Sequence, residues 1–110
     1  MILPNASLAI VDPVKIHDYC LNLEHPRGKH KAKVFQDVFG ITKNDTNDLI
    51  LQIKREIKTS ECIVGEADAF GQRYIVDIVI GKQDVVAVVR TAWIIKTNEN
   101  IPRLTTCYVL

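Results

Sequence analysis

At Glu61 the apolar residues of this 110-residue chain change their period, and that switch limits what the chain can fold into more than any other feature. Before it they recur at intervals of three and four. After it they alternate, as expected of strands with one buried face. "ECIVGEADAF" reads as a strand ending in a turn at Gly71. From Arg73 to Ile80 a second strand sets Tyr74, Val76, Ile78 and Ile80 on one face and Arg73, Ile75, Asp77 and Val79 on the other. "GKQD" closes a hairpin onto the longest strand, Asp84 to Thr97, whose "VVAVV" is apolar on both faces and so belongs in the sheet interior. "NENIP" makes the next turn, and Arg103 to Leu110 is the last strand.

The first half reads as helices. Asp12-Pro13 is an N-cap followed by proline at the first helical position. Ile16, Tyr19, Cys20 and Leu23 then fall on one apolar face, and Pro26 and Gly28 end the segment. A second helix from about Lys29 to Phe39 carries Ala32, Phe35 and Phe39 on one side, with Gly40 suited to its C-terminal cap. A third, from about Asp45 to Thr59, buries Leu49, Ile50, Ile53 and Ile57. Helices followed by strands give an α+β fold: one domain over residues 1–110, with two to three N-terminal helices packed on one face of an antiparallel sheet of about four C-terminal strands.

No apolar run approaches the ~20 residues that span a bilayer, and the N-terminus has no signal-peptide pattern. Cys20, Cys62 and Cys107 are odd in number and widely spaced, which points to reduced thiols in a cytoplasmic protein, each packed as a small hydrophobe. The sequence holds no GxGxxG, GxxxxGK[ST], HExxH or GxSxG motif, and His25 and His30 lack companion ligands for a metal. No cofactor and no metal are expected.

Against a net charge of +1, one connector is heavily basic. In "HPRGKHKAK", residues 25–33, six of nine side chains are cationic or can become so: His25, Arg27, Lys29, His30, Lys31 and Lys33. They lie at the start of the second helix, where the macrodipole already favours anions. A sequence arranged for stability alone would put acids there. Flexible lysines pointing into water would explain the cluster without function; a phosphate held at the helix N-terminus would explain it with one.

Arg90 lies inside the most apolar strand and needs an acidic or anionic partner. Asp77 on the neighbouring strand can pair with it, or Arg90 can project from the sheet as an anion clamp. Thr91 and Trp93 share the opposite face, which makes Trp93 a core residue. In the last strand, Leu104, Thr106 and Tyr108 alternate with Arg103, Thr105 and Cys107. If Leu104 faces the core so do Thr106 and Tyr108, and Cys107 looks out; beside a cleft, either set could line it.

In order, "KIHDYCLNLEHPRGKHKAKVFQDVFGIT", "GQRYIVDIVI", "VVRTAWIIK" and "PRLTTCYVL" resemble a small bacterial domain family. Its pattern is Tyr-x-Leu-Asn, His-Pro-x-Gly-x-x-Lys-Ala, Gly-x-x-Tyr-x-Val-Asp, Arg-Thr-x-Trp and Pro-Arg-Leu-x-Thr. No activity is attached to that family, but its members resemble toxin domains. They occur as small proteins beside another small gene, or at the C-terminal ends of large secreted or phage-associated proteins. The order of elements is also similar to the fold shared by barnase, the EndoU nucleases, colicin E5 and the RelE toxins, which cleave RNA without metal. The likeness to these enzymes is one of fold.

That resemblance implies a toxin-like, metal-independent ribonuclease binding RNA phosphate at a basic helix N-terminus and a sheet cleft. The family pattern matches His25, Lys31, Arg90 and Thr106 as catalytic residues; His30 and Tyr108 join them on chemistry alone. His25 or His30 would act as general base, Lys29, Lys31 and Arg90 would stabilise phosphate charge, and Thr105 or Thr106 would bond a phosphate oxygen. Arg27, Lys33 and Arg103 complete the phosphate-binding set. The implied partners are RNA and a small cognate antitoxin or immunity protein. The alternative is an interaction module, itself an antitoxin, immunity protein or small-complex subunit, which docks on an acidic partner and cleaves nothing.

Overall fold

A computed structural model describes all 110 residues and has the α+β architecture. Helix α1, Pro13–Lys15, starts at Asp12, whose carboxylate accepts from the Val14 N–H at 3.0 Å, and runs into a π-helical turn, Ile16–Cys20. Helix α2 is Lys29–Phe39 and helix α3 is Thr46–Glu56. Four strands follow: β1 Cys62–Asp68, β2 Gly71–Lys82, β3 Val85–Lys96 and β4 Arg103–Val109. They pair antiparallel in the order β1-β2-β3-β4, each beside its sequence neighbour. No helix is long and apolar enough to cross a membrane.

The helices cover one face of the sheet. Between the layers, Ile16, Cys20, Phe35, Phe39, Leu49, Ile53 and Ile57 meet Val76, Ile78, Ile80, Val89, Trp93, Leu104 and Cys107 in one apolar cluster. Trp93 is buried, and its indole N–H donates to the Thr91 hydroxyl at 2.8 Å, which donates in turn to the Val76 carbonyl at 2.6 Å. The polar atoms of both side chains are thereby satisfied inside the core.

Two features shift residues from their expected faces. The π-helical turn packs more residues into its turn than an α-helix, so the apolar register slips. Ile16 and Cys20 stay inside, but Leu21 is buried in place of Leu23, which is exposed. In β4, Leu104 pairs with Trp93 and Thr106 with Ala92, leaving Thr105 as the extra residue of a β-bulge. The bulge resets the alternation. Cys107, which strict alternation from an inward Leu104 would turn outward, is fully buried opposite Thr91, as its expected packing as a small hydrophobe requires, whereas Thr106 and Tyr108 pair with Ala92 and Arg90 on the uncovered face. All three cysteines are buried and unpaired by disulfides.

Candidate functional site

The basic connector is folded, not a loose loop. Asn22 begins it, its side chain donating to the Asp18 carbonyl and accepting from the Glu24 N–H. His25 closes it: ring Nδ1 accepts from the backbone N–H groups of Arg27 at 3.0 Å and Gly28 at 2.9 Å. Two donors aimed at one ring nitrogen require a lone pair there, so the neutral ring carries its proton on Nε2. Nε2 is the nitrogen left for anything that approaches. The ring also meets Tyr19 edge-on, centroids 4.8 Å apart. Gly28 lies against the Tyr19 backbone so closely that a Cβ would overlap the Tyr19 carbonyl oxygen. This contact brings the start of α2 up to the π-helical turn.

From the first turn of α2, Lys31 reaches back to the edge strand. Its ammonium donates to the Tyr19 hydroxyl at 3.2 Å and the Thr106 hydroxyl at 3.3 Å, and stands 5.2 Å from the Tyr19 ring centroid and 5.4 Å from that of Tyr108. Both rings add cation–π attraction. No carboxylate pairs with Lys31, although six other lysine and arginine side chains and the N-terminus are in salt bridges. An ammonium has three N–H donors, so one remains for a ligand.

These groups line an open cleft of about 530 Å³ between α1 with its π-helical turn, the connector, α2 and the β4 bulge. Lys15, Asp18, Tyr19, His25, Arg27, Lys31, Thr105 and Thr106 supply its polar wall, three fixed cations against one carboxylate. Thr105 donates its hydroxyl to the Ala92 carbonyl at 3.1 Å, securing the bulge and leaving the oxygen's lone pairs. Nowhere do three or more His, Cys, Asp or Glu side chains gather as metal ligands would.

Of the residues singled out from the sequence, the cleft brings together His25, Arg27, Lys31, Thr105 and Thr106. Tyr108 touches the same centre through Lys31. His30 and Lys29 are exposed beyond it, so the surface reading serves for them. Lys33 bonds Asp37 one helical turn on, at 3.0 Å, and Arg103 bonds Glu99 at 3.0 Å. Tyr19 and Lys15 are additions. Tyr19 looked like a core residue by its spacing, and only the π-helical turn sets it half out at the cleft wall.

Arg90 takes the structural option. Its Nε and Nη2 grip the two oxygens of Asp77 at 2.9 and 3.0 Å, a fork-to-fork pair across β2 and β3 on the uncovered face. Hydrogen bonding to Asp77, helped by Tyr108, raises the guanidinium's pKa. Asp77→Asn and Arg90→Met are each expected to lower the melting temperature by a few degrees, and the double variant no further than the worse single one. Thermal denaturation followed by circular dichroism of all four proteins checks the coupling; additive losses would mean the pair contributes nothing as a pair.

Behind Lys31, Cys20 and Cys107 share a hydrogen bond in the core. Donation from Cys107 favours the Cys20 thiolate and lowers its pKa to about 7, with Lys31's charge adding to the effect. The same bond, with burial, raises Cys107.

No curated protein and no solved structure matches the chain. Residues 2–110 do match the family described as "Domain of unknown function (DUF6883)", nearly the whole chain, and the protein belongs to that family.

Proposed function

We propose that the cleft beside β4 binds the phosphodiester backbone of RNA and that the protein is a toxin-like, metal-independent ribonuclease. The observation that carries this is Lys31: a half-buried ammonium with no carboxylate, fixed between two tyrosines and a threonine, with a donor left over. Arg27 and Lys15 add charge around it, and the Thr105 and Thr106 hydroxyls add hydrogen-bonding groups. Fixed positive groups of this kind stabilise a phosphorane more than the ground-state diester, because charge builds up there. His25 contributes an Nε2–H donor to a phosphate oxygen. With Nδ1 occupied by two backbone N–H groups, this role suits it better than that of a base. Tyr19 and Tyr108 give faces on which an unpaired base can stack.

A second reading is supported by Arg90. With its guanidinium committed to Asp77, and a net charge of only +1, the domain presents a modest field for a nuclease. A non-enzymatic module would use the same cleft to hold an acidic side chain of a protein partner.

The experiment is expression from a tightly repressed promoter, with growth and total RNA followed for wild type, His25→Ala and Arg27→Ala. Growth arrest with RNA cleavage, lost in His25→Ala and weakened in Arg27→Ala while both stay folded, is the expected outcome. Harmless expression with intact RNA in EDTA would remove the ribonuclease reading and leave the partner-binding one.

A further inference from the structure

The cleft does not end at the β4 bulge. It adjoins a second hollow of about 280 Å³, and Lys15 and Thr105 line both. Local structure puts these two on the boundary: Lys15 is the last residue of α1, and Thr105 is the extra residue of the bulge. Beyond them the second hollow gathers Lys96, which ends β3, and Arg103, which begins β4. Neither Lys15 nor Lys96 has a salt-bridge partner. Arg103 gives Glu99 its Nε–H and one Nη2–H, so three of its five N–H groups remain. Hydrogen bonding to Arg103 lowers the Glu99 pKa, and the charge of Lys96 adds to the effect, so both cations act on one spot. Across the two hollows five fixed cations stand against Asp12, Asp18 and Glu99, a larger surplus than the +1 of the whole chain.

We propose that the two hollows form one groove for a single RNA strand, in which the phosphate held at Lys31 is followed by a second one between Lys15, Lys96 and Arg103. This rests on the cleft's holding RNA phosphate and adds the form of the substrate: unpaired, and longer than a dinucleotide. Along β4, Thr106, which bonds Lys31, and Arg103 are three residues apart, roughly 10 Å. Successive phosphates of a stacked strand lie about 3.4 Å apart along its axis and farther in an extended one. One phosphate therefore cannot serve both ends, and a strand can. The lining decides between occupants. Its cations suit a backbone charged at every nucleotide. Ile10, 37% exposed above a floor of buried Ile94 and Leu104, offers an apolar seat to an unpaired base. The segment carrying Ile10 is fixed to β4, its N–H donating to the Pro102 carbonyl at 2.9 Å and its carbonyl accepting from the Leu104 N–H at 3.0 Å. A duplex keeps its bases shut inside pairs and has nothing for that seat. An acidic peptide would satisfy the cations alone.

Fluorescence anisotropy of the full chain in EDTA tests it, with 2′-O-methyl RNA, which lacks the hydroxyl through which RNA is cleaved. A single-stranded octanucleotide should bind at least about tenfold more tightly than a dinucleotide. Lys96→Gln should lower the octanucleotide affinity about fivefold. It should also make the log–log salt dependence shallower by about 0.7 between about 50 and 200 mM salt. Its melting temperature should not change, because Lys96 is exposed. Glu99→Gln, which removes the charge opposing Arg103, should do the reverse: tighter binding and a steeper salt dependence. Binding at no length would overturn the groove and the ribonucleic reading of the cleft together. Binding that strengthens with length but is indifferent to both substitutions would overturn the groove alone. A paired octamer held as tightly as the single strand, or polyglutamate held more tightly than either, would overturn the choice of occupant.

Discussion

Gly28→Ala is expected to destabilise the protein by about 2–3 kcal/mol, a fall of about 10 °C in melting temperature. The reason is not backbone conformation, since Gly28 has φ −86°, which any residue adopts. It is space: the added Cβ has nowhere to go except into the Tyr19 carbonyl oxygen, and that atom is main chain. Relief requires α2 to back away from the π-helical turn. That movement would carry Lys31 from Tyr19 and break the Gly28 N–H bond to His25, opening the cleft as it loosens the fold. Gly40→Ala is the control. Gly40 has φ +71° and open space around its missing Cβ, so alanine there costs only about 1 kcal/mol of left-handed backbone strain. Melts of both variants, with near-ultraviolet circular dichroism for the tyrosine environment, test the difference. If Gly28→Ala melts no lower than Gly40→Ala, the two helices do not meet as described.

The elements were legible because each rests on a local signal: an Asp-Pro start, a period of two, a turn between alternating runs. The composition of the cleft was half legible for the same reason, since cations crowded into "HPRGKHKAK" announce themselves. What could not be read is which of them converge. His25, Arg27 and Lys31 turn inward and Lys29, His30 and Lys33 outward because of the helical phase of α2 and the His25-capped connector. Arg103 and Thr105 are neighbours but two apart, and strict alternation puts both on one side. One extra residue at the bulge instead sets Thr105 and Thr106 together on the cleft and sends Cys107 inside. Tyr19 was hidden by the π-helical turn in the same way. Irregularities of one residue left no mark in the pattern, yet they decide which hydroxyls face Lys31.

Lys31 separates function from stability. Its ammonium sits in the first turn of α2, which contains no acidic residue, so it adds positive charge to the positive end of the helix. It is half-buried and meets only neutral oxygens and aromatic faces. A methionine would keep the stem packed between Tyr19 and Tyr108 and would shed the charge. Lys31→Met is therefore expected to change stability by less than about 1 kcal/mol and to lower RNA cleavage by about 100-fold or more. Lys31→Arg should recover part of the activity: it keeps the charge, but a planar fork cannot occupy the compact position between two rings and two hydroxyls. Chemical denaturation alongside single-turnover cleavage of a single-stranded RNA distinguishes the outcomes. A variant that is stable and inactive places the phosphate at Lys31. One that cleaves normally would move the site elsewhere, and one that unfolds would make the Tyr19–Lys31–Thr106 link a tie between α2 and β4, its charge incidental to what the protein does.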